Sequence, residues 1–321
     1  MNIIDRFYEQ AKNVQGWICL PEALLDNRVM EACKILVNEK LSNVVLVGEE
    51  DKFPAEFVNN PNVKIINPNS YSRKSQMIEI LMEKRKNKGM TYEDAEKWLQ
   101  DIRYFSTMLL EMHEADGMVL GAYYSSADAL RPALQIVKAK QGSLVTGSML
   151  MCREDRKEPL LFLDVSLNEN PNAEELSQIG IEGAKFYEQV VGEKAKVAFL
   201  SYSTYGSANS DMVTKVRDAV NMAKTSKYIV DGEMQFDSAT VPSVAKIKCP
   251  NSTIKGDANV LVFPDLNAGN IGYKIAQRLG GFEAVGPIML NFRYPVNDLS
   301  RGCSTKDIVD TVVITKLQIE R

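Results

Sequence analysis

The chain has 321 residues, of which 45% are apolar and 25% are charged; this composition is typical of globular proteins and excludes disordered, collagen-like and disulfide-scaffold classes. The net charge of -4 gives no overall basic field, so we expect no nucleic-acid partner. The first residues are charged and amphipathic, and no apolar run approaches the ~18 residues of a membrane span. We therefore expect a cytoplasmic protein with no membrane partner.

Short runs rich in Val, Ile and Leu alternate along the chain with longer stretches of helical period. This pattern is typical of parallel strands joined by crossover helices, and the predicted fold class is α/β. Most of the runs are apolar throughout, as expected for strands covered on both faces. The predicted strands are residues 43–48, 63–67, 117–122, 160–165, 196–201, 227–233, 259–266 and 284–290. The predicted helices are residues 28–39, 72–87, 92–112, 173–191, 209–225, 268–280 and about 305–319.

The cysteines and the single histidine point away from redox or histidine-based chemistry. The five cysteines are far apart and form no C-x-x-C pair, so we interpret them as reduced thiols. His113 lies in an apolar helical stretch, where we expect a partly buried structural role rather than that of a general base.

Several predicted strands end in polar or small residues just before a helix, and ligands of open α/β sheets usually bind at these carboxyl ends. Carboxylates in such positions could in principle converge on a metal ion. Helix capping and loop hydrogen bonds explain them better, and we predict no metal site. The carboxylates concerned are Asp164, Asp231, Glu233 and Asp265.

The segment from residue 295 to 309, PVNDLSRGCSTKDIV, concentrates the most chemistry. Ser300 and Arg301 lie in a predicted loop that leads directly into a helix. Ser304 and Asp307 have the spacing of a capping box, which by itself explains a carboxylate in the first turn. A hydroxyl, a guanidinium, a carboxylate and free helix N–H groups nevertheless meet at one helix start, where an oxyanion could be held.

PVNDLSRGCS resembles the signature of the phosphate acetyltransferase family. Other similar segments follow the family's order along the chain: RKNKGMTYEDA (85–95), GAYYSSADALRPALQIVK (121–138), VAFLSYSTYGSA (197–208), DGEMQFDSA (231–239) and NVLVFPDLNAGNIGYKIAQRL (259–279). The resemblance implies two three-layer α/β/α domains with a cleft between them, similar to isocitrate and isopropylmalate dehydrogenases. It implies a first domain of residues 1–140 plus 299–321, and a second of 141–298 that provides dimerisation and part of the cleft.

The same resemblance implies roles for individual residues. Asp307 matches the base that takes the proton from the coenzyme A thiol, Ser300 the hydroxyl that steadies the carbonyl oxygen, and Arg301 the arginine that stabilises charge on the phosphate or the transition state. It further implies contacts with coenzyme A or substrate phosphates from Arg28, Arg85, Arg131, Ser125, Ser126 and Asn297. From the residues alone, Ser125 and Ser126 could equally be simple helix caps.

The implied reaction is the reversible transfer of an acetyl group between coenzyme A and inorganic phosphate. Coenzyme A, acetyl-coenzyme A, phosphate and acetyl phosphate are the expected small-molecule partners, with no tightly bound cofactor and a homodimeric assembly. The segment GPIMLNFRYP (286–295) departs from the family, since Leu290, Asn291 and Tyr294 replace Gln, Gly and Lys; Tyr205 also replaces a common Lys. These changes leave open a butyryltransferase-like enzyme for longer acyl groups, and a non-catalytic acetyl-coenzyme A sensor is a further alternative.

Overall fold

The computed structural model describes residues 2–319, which divide into two compact units. The first unit contains Asp5–Lys140 together with residues 292–319, and the second contains Gln141–Asn291 together with residues 2–4. The predicted α/β class is confirmed, since each unit is built on a sheet flanked by helices.

The sheet of the first unit has five parallel strands in the order β11-β4-β1-β2-β3. Every residue of β4, and nearly every residue of β1 and β2, is buried, as expected for a sheet covered on both faces. The strands are β1 (Trp17–Leu20), β2 (Asn43–Val47), β3 (Val63–Ile66), β4 (Gly117–Leu120) and β11 (Val296–Asp298).

The helices of the first unit mostly begin at side-chain caps. The predicted helix 92–112 is two helices instead, because Asp101 accepts the backbone N–H of Arg103 and starts a new helix. The helices are α1 (Ile3–Lys12), α2 (Asn27–Asn38), α3 (Ala55–Val58), α4 (Lys74–Arg85), α5 (Tyr92–Trp98), α6 (Ile102–Glu111), α7 (Ser126–Ile136) and α13 (Thr305–Leu317). Short 3-10 helices occur at Glu50–Lys52 and Lys86–Lys88.

Helix α13 is buried along most of its length and packs against α2, β4 and β1. Even Lys316 is only 4% exposed, and its ammonium donates to the carbonyl of Leu41 at 2.8 Å. The carboxyl-terminal segment is therefore part of the core of the first unit.

The second unit has a six-stranded sheet in the order β10-β5-β6-β9-β7-β8. The prediction of parallel strands is wrong for β10, which runs antiparallel to β5; β5 is also antiparallel to β6. The few residues between β5 and β6 allow a hairpin but not the longer crossover that parallel strands need. The strands are β5 (Thr146–Cys152), β6 (Leu160–Leu163), β7 (Lys196–Leu200), β8 (Ile229–Met234), β9 (Val260–Val262) and β10 (Glu283–Leu290).

Helices of the second unit cover this sheet, and its core includes Met151, Phe162 and Leu261. The helices are α8 (Ala173–Val190), α9 (Asp211–Ala223), α10 (Phe236–Thr240), α11 (Pro242–Lys248) and α12 (Leu266–Leu279). Within residues 2–319, no helix is both long enough and apolar enough to cross a membrane.

The predicted domain boundaries differ from the compact units in two places. Residues 2–4, expected in the first domain, lie in the second unit. We expected residues 292–298 in the second domain, but they lie in the first unit. The reason is that Val296, Asn297 and Asp298 pair with β4 and complete the edge of its sheet.

Candidate active site

Three turns at one edge of the first unit's sheet form the candidate site. Strands β11, β4 and β1 are neighbours and parallel, so the turns that follow them emerge at the same edge. Each turn leads into a helix whose first N–H groups are capped by a side chain: Asp26 before α2, Ser125 before α7 and Ser304 before α13. Helix starts of this kind favour anionic ligands.

The turns after β4 and β11 approach each other closely at Gly121. Its φ is +112°, and a Cβ atom there would lie 2.3 Å from Oδ1 of Asp298 and 2.8 Å from the backbone nitrogen of Leu299. Only glycine accepts both this conformation and this contact.

Glu22, in the turn after β1, fixes the turn after β4. Its carboxylate is 1% exposed and accepts the backbone N–H groups of Gly121 (2.8 Å), Ala122 (2.9 Å), Tyr123 (3.3 Å) and Tyr124 (3.2 Å). Burial raises the pKa of Glu22, while the four hydrogen bonds act to lower it. No local sequence pattern marks Glu22, since the four groups that it binds lie about a hundred residues away.

The loop between β11 and α13 presents Ser300 and Arg301 to solvent. Ser300 Oγ accepts the N–H of Gly302 at 3.3 Å, and the Ser300 carbonyl accepts the N–H of Cys303 at 2.9 Å. Among residues 2–319, no side chain or backbone group pairs with the Arg301 guanidinium. This guanidinium is therefore available to an anionic ligand.

The predicted capping box at the start of α13 is confirmed. Ser304 Oγ accepts the N–H of Asp307 at 3.2 Å, and Asp307 Oδ2 accepts the N–H of Ser304 at 2.7 Å. Of the atoms described, none donates a hydrogen bond to Oδ1 of Asp307. Capping thus uses one carboxylate oxygen and leaves the other for a ligand.

Asp298, at the end of β11, is a buried carboxylate that no local sequence pattern marks either. It is 2% exposed, and its Oδ1 has no hydrogen-bond partner among the described residues. The nearby hydroxyl of Ser126 and the N–H of Leu299 act to lower the pKa of its carboxyl group. Burial raises the pKa of Asp298 to about 6, and the nearby Glu22 carboxylate contributes in the same direction.

The two serines before α7 have different contacts. Ser125 is the N-cap: its Oγ accepts the N–H of Asp128 at 3.3 Å and donates to Oδ2 of that residue at 2.8 Å. Ser126 lies near Asp298 instead, where its hydroxyl acts to lower the pKa of that carboxyl group.

Arg28 lies among the three turns, but its guanidinium is fully occupied. It is paired with Asp26 and donates to the carbonyls of Ala122, Arg301 and Cys303. The structure therefore brings Arg28 to the predicted site without leaving it a free donor for a phosphate.

Arg85, the last residue of α4, and Arg131, within α7, carry charges apart from the three turns. The Arg85 guanidinium lies over the Trp98 ring at 5.4 Å, and its buried Nε has no partner among the described residues. Arg131 is exposed and forms an ion pair of 3.1 Å with Asp128. Burial raises the pKa of Tyr104, and the charges of Arg131, Arg103 and Arg85 oppose this rise.

The structure contradicts a direct substrate contact for Asn297. Its side chain is 0% exposed, and its amide donates to Oγ1 of Thr315 at 2.7 Å and to Oε1 of Gln318 at 2.6 Å. Asn297 instead anchors the end of α13 to β11, because its side chain points into the core of the unit. His113 also differs from expectation, since it is exposed in the turn after α6.

Two departures from the family pattern have local explanations. Asn291 has φ of +72°, and asparagine tolerates this left-handed conformation better than other non-glycine residues. The Tyr205 hydroxyl donates a hydrogen bond to Oδ2 of Asp231 at 2.5 Å, and both residues belong to the second unit.

The carboxylates considered as metal ligands are engaged in hydrogen bonds with protein groups. Asp164 accepts three backbone N–H groups, from Ser166, Leu167 and Asn168, and Asp265 caps α12. Hydrogen bonds with Tyr205, Ser252 and Lys224 lower the pKa of Asp231 to about 2 despite its burial. Glu233 accepts from Gly206 N–H at 2.7 Å and pairs with Arg217.

Parallel strands, helix starts that converge at one sheet edge and an unpaired guanidinium together define an α/β protein with a site suited to an anionic ligand. Comparison with known proteins specifies the family: residues 2–316 match the description "phosphate acetyl/butaryl transferase". The chain belongs to this family, whose members are acyltransferases.

Similar proteins align over nearly the whole chain. The phosphate acetyltransferase of Bacillus subtilis is 46% identical and covers 94% of each chain. A phosphotransacetylase structure from Streptococcus pyogenes superposes with a TM-score of 0.91 at 42% identity, covering 99% of this chain and 98% of its own. The EutD phosphotransacetylase from Staphylococcus aureus gives a TM-score of 0.90 at 40% identity, with the same coverage.

Proposed function

We propose that this protein transfers an acetyl group reversibly between coenzyme A and inorganic phosphate. The observation that carries the proposal is the loop at 300–307, where the exposed hydroxyl of Ser300, the unpaired Arg301 guanidinium and one free oxygen of Asp307 lie at the start of α13. Family membership and the named relatives support acetyl phosphate and coenzyme A as the substrates.

In the acetyl-coenzyme A direction, the thiolate sulfur attacks the carbonyl carbon of acetyl phosphate. A carbon–sulfur bond forms, the bond from this carbon to the phosphate oxygen breaks, and inorganic phosphate leaves with the electron pair. Since a free thiol with a pKa of ~8.5 is mostly protonated at neutral pH, a base accelerates the attack. Asp307 is the proposed base, with the thiol proton moving to its Oδ1 as the sulfur attacks.

The remaining groups stabilise charge. Ser300 donates a hydrogen bond to the carbonyl oxygen as negative charge develops, and Arg301 neutralises the departing phosphate. Arg85 and Arg131 are the proposed contacts for the phosphates of coenzyme A, because guanidinium groups grip phosphate oxygens with paired charged hydrogen bonds. Ser125 and Ser126 stay proposed contacts for the acyl phosphate.

Acyl preference and activity are tested by one assay series. Purified protein is incubated with coenzyme A and acetyl, propionyl or butyryl phosphate, and thioester formation is followed. Fastest turnover of acetyl phosphate is the expected result. Faster turnover of butyryl phosphate would favour the butyryltransferase-like alternative, and tight acetyl-coenzyme A binding without turnover of any donor would favour the sensor.

Cytoplasmic location and a homodimer complete the proposal. The homodimer is supported by three exposed apolar side chains on one face of α12: Ile271, Ile275 and Leu279.

A further inference from the structure

All five N–H bonds of the Arg28 guanidinium have an acceptor within the protein. Nε donates to Asp26 Oδ1 at 3.0 Å, and Nη2 to Asp26 Oδ2 at 2.6 Å and to the Ala122 carbonyl at 3.0 Å. Nη1 donates to the carbonyls of Arg301 at 2.9 Å and Cys303 at 2.6 Å. A guanidinium has five N–H donors, so a phosphate could be bound only by breaking one of these bonds.

The acceptors of Arg28 come from all three turns of the site. Asp26 lies in the turn after β1, Ala122 in the turn after β4, and Arg301 and Cys303 in the loop after β11. Asp26 is itself fixed, because it caps α2 by accepting the N–H of Arg28 at 2.9 Å. Because Asp26 fixes one end of the planar, charged Arg28 guanidinium, the remaining N–H groups can set the positions of the turn after β4 and the loop after β11.

We propose that Arg28 is a positioning residue that holds the loop carrying Ser300 and Arg301 against the turns after β1 and β4, and that it is not a phosphate ligand. The expected effect on turnover rests on the proposed function, whereas the contacts of Arg28 are independent of it. Loss of the Arg28 contacts releases the Arg301 and Cys303 carbonyls. Ser300 and Arg301 then no longer face the reacting groups in a fixed orientation, which lowers turnover more than binding.

The first test is Arg28→Lys, which keeps the charge but supplies only three donors on a flexible stem. We expect kcat to fall about 10- to 100-fold, as for a misplaced catalytic group, with KM for coenzyme A and acetyl phosphate changed less than about twofold. The preference for coenzyme A over 3′-dephospho-coenzyme A should stay at the wild-type value, because this preference measures a contact with the 3′-phosphate.

Cys303 provides a readout that needs no catalysis. Its thiol is 7% exposed, and burial raises its pKa to about 11, so alkylation should be slow in the wild type. In Arg28→Lys we expect Cys303 to be alkylated about tenfold faster, as measured by peptide mass spectrometry, because the loop opens more often. Cys19 and Cys33, both 0% exposed in the same unit, should stay unreactive and thereby exclude global unfolding.

Asp26→Asn is the second variant and decides the question even if Arg28→Lys does not fold. Asparagine remains a good N-cap, but it weakens the ion pair and leaves the Arg28 charge free for a phosphate. If Arg28 is a positioning residue, Asp26→Asn should have a lower kcat and faster alkylation of Cys303. A phosphate-binding role predicts unchanged kcat with an unchanged or lower KM for coenzyme A.

Arg153→Lys serves as the matched control, since Arg153 forms a similar pair with Asp155 in the second unit; wild-type kinetics are expected. The proposal is overturned if Arg28→Lys raises KM for coenzyme A and abolishes the preference over 3′-dephospho-coenzyme A while kcat and Cys303 alkylation stay at wild-type values. Wild-type behaviour of both Arg28→Lys and Asp26→Asn would overturn it as well. If the wild type lacks transferase activity, the proposed function fails, yet the alkylation of Cys303 still tests the contacts of Arg28.

Discussion

Asp307 combines a structural and a proposed catalytic role in one carboxylate, and Asp307→Asn separates them. The amide oxygen can still accept the Ser304 N–H, so the free energy of unfolding should fall by no more than ~1 kcal/mol. Turnover at pH 7 should fall ~10²-fold or more, the usual contribution of a placed base. The loss should shrink as the pH rises towards the thiol pKa of ~8.5, where coenzyme A ionises unaided. A melting curve and a pH–rate profile measure both effects.

Ser304→Ala is the matched control for this experiment. It removes the hydroxyl that accepts the Asp307 N–H but keeps the carboxylate, so we expect a loss of ~1 kcal/mol in stability and nearly intact turnover. Wild-type turnover in a folded Asp307→Asn protein would rule out the base assignment and leave thiol activation to Arg301 and the helix start.

Asp298 should make stability depend on pH in the direction opposite to most carboxylates. Its pKa is 3.8 in an unfolded chain and about 6 here, so the folded state holds an additional proton between these values. The contribution to stability is complete below about pH 4 and is lost as the pH rises through about 6, in total roughly 3 kcal/mol. Asp298→Asn should therefore gain stability relative to the wild type between about pH 4 and 7.5. Denaturant unfolding at both pH values measures this difference.

Asp231→Asn is the comparison for that prediction. Hydrogen bonds hold the pKa of Asp231 at about 2, so its contribution is complete above 3.8 and is lost only as the pH falls through 2. The cost of Asp231→Asn should thus be constant over the range in which that of Asp298→Asn changes. A constant difference for Asp298→Asn too would show that its carboxyl group titrates normally.

At the level of secondary structure, apolar runs and capping residues were the informative signals. The eight predicted strands are all present, and most of them are parallel strands whose continuous apolar side chains suit a sheet covered on both faces. Strands β1, β5 and β11 were not predicted: β11 is three residues long, two of them polar, and β5 mixes small and polar residues with its methionines. Their pairing depends on neighbours distant in sequence.

Features of the site that depend on residues close in sequence could be predicted, whereas features that depend on tertiary contacts could not. The Ser304–Asp307 capping box follows from a spacing of three residues. The contacts of Glu22 and Arg28, and the burial of Asp298 and Asn297, arise only when strands β1, β4 and β11 become neighbours. A motif places Arg28 at the site, but its donors must be counted in three dimensions to distinguish a ligand from a positioning residue.

Helix α12 has an apolar stripe that should form part of a dimer interface. Ala268, Tyr273 and Ala276 pack on the core of the second unit, whereas Ile275 and Leu279 are 54% and 85% exposed. A charge buried in an interface without a partner is costly. Ile275→Glu should therefore convert a dimer into monomers without loss of secondary structure, as measured by light scattering and circular dichroism.

Ile247→Glu is the control, because Ile247 is 82% exposed on α11 in the same unit. We expect this variant to keep the wild-type mass in solution. A monomeric wild type, or a dimer that persists in Ile275→Glu, would remove α12 from the proposed interface.

For the whole molecule, we expect acetyl transfer to continue in the presence of a chelator. In the proposed mechanism, guanidinium groups and a helix start neutralise the phosphate. The strand-end carboxylates bind protein donors, as Asp164 does with three backbone N–H groups. Rates with and without EDTA test this expectation. Activity that disappears with EDTA and returns with magnesium would contradict it.

The discontinuous course of the first unit affects how the protein folds during synthesis. The ribosome completes the second unit before it makes β11 and α13, although the first unit begins far earlier. At roughly 5–20 residues per second, the chain from residue 292 onward takes roughly 1.5 to 6 seconds to appear. During this interval β4 lacks its outer neighbour, and the faces of α2 and β1 that α13 covers are bare. The nascent chain is therefore open to chaperone binding at the very strands that later carry the site.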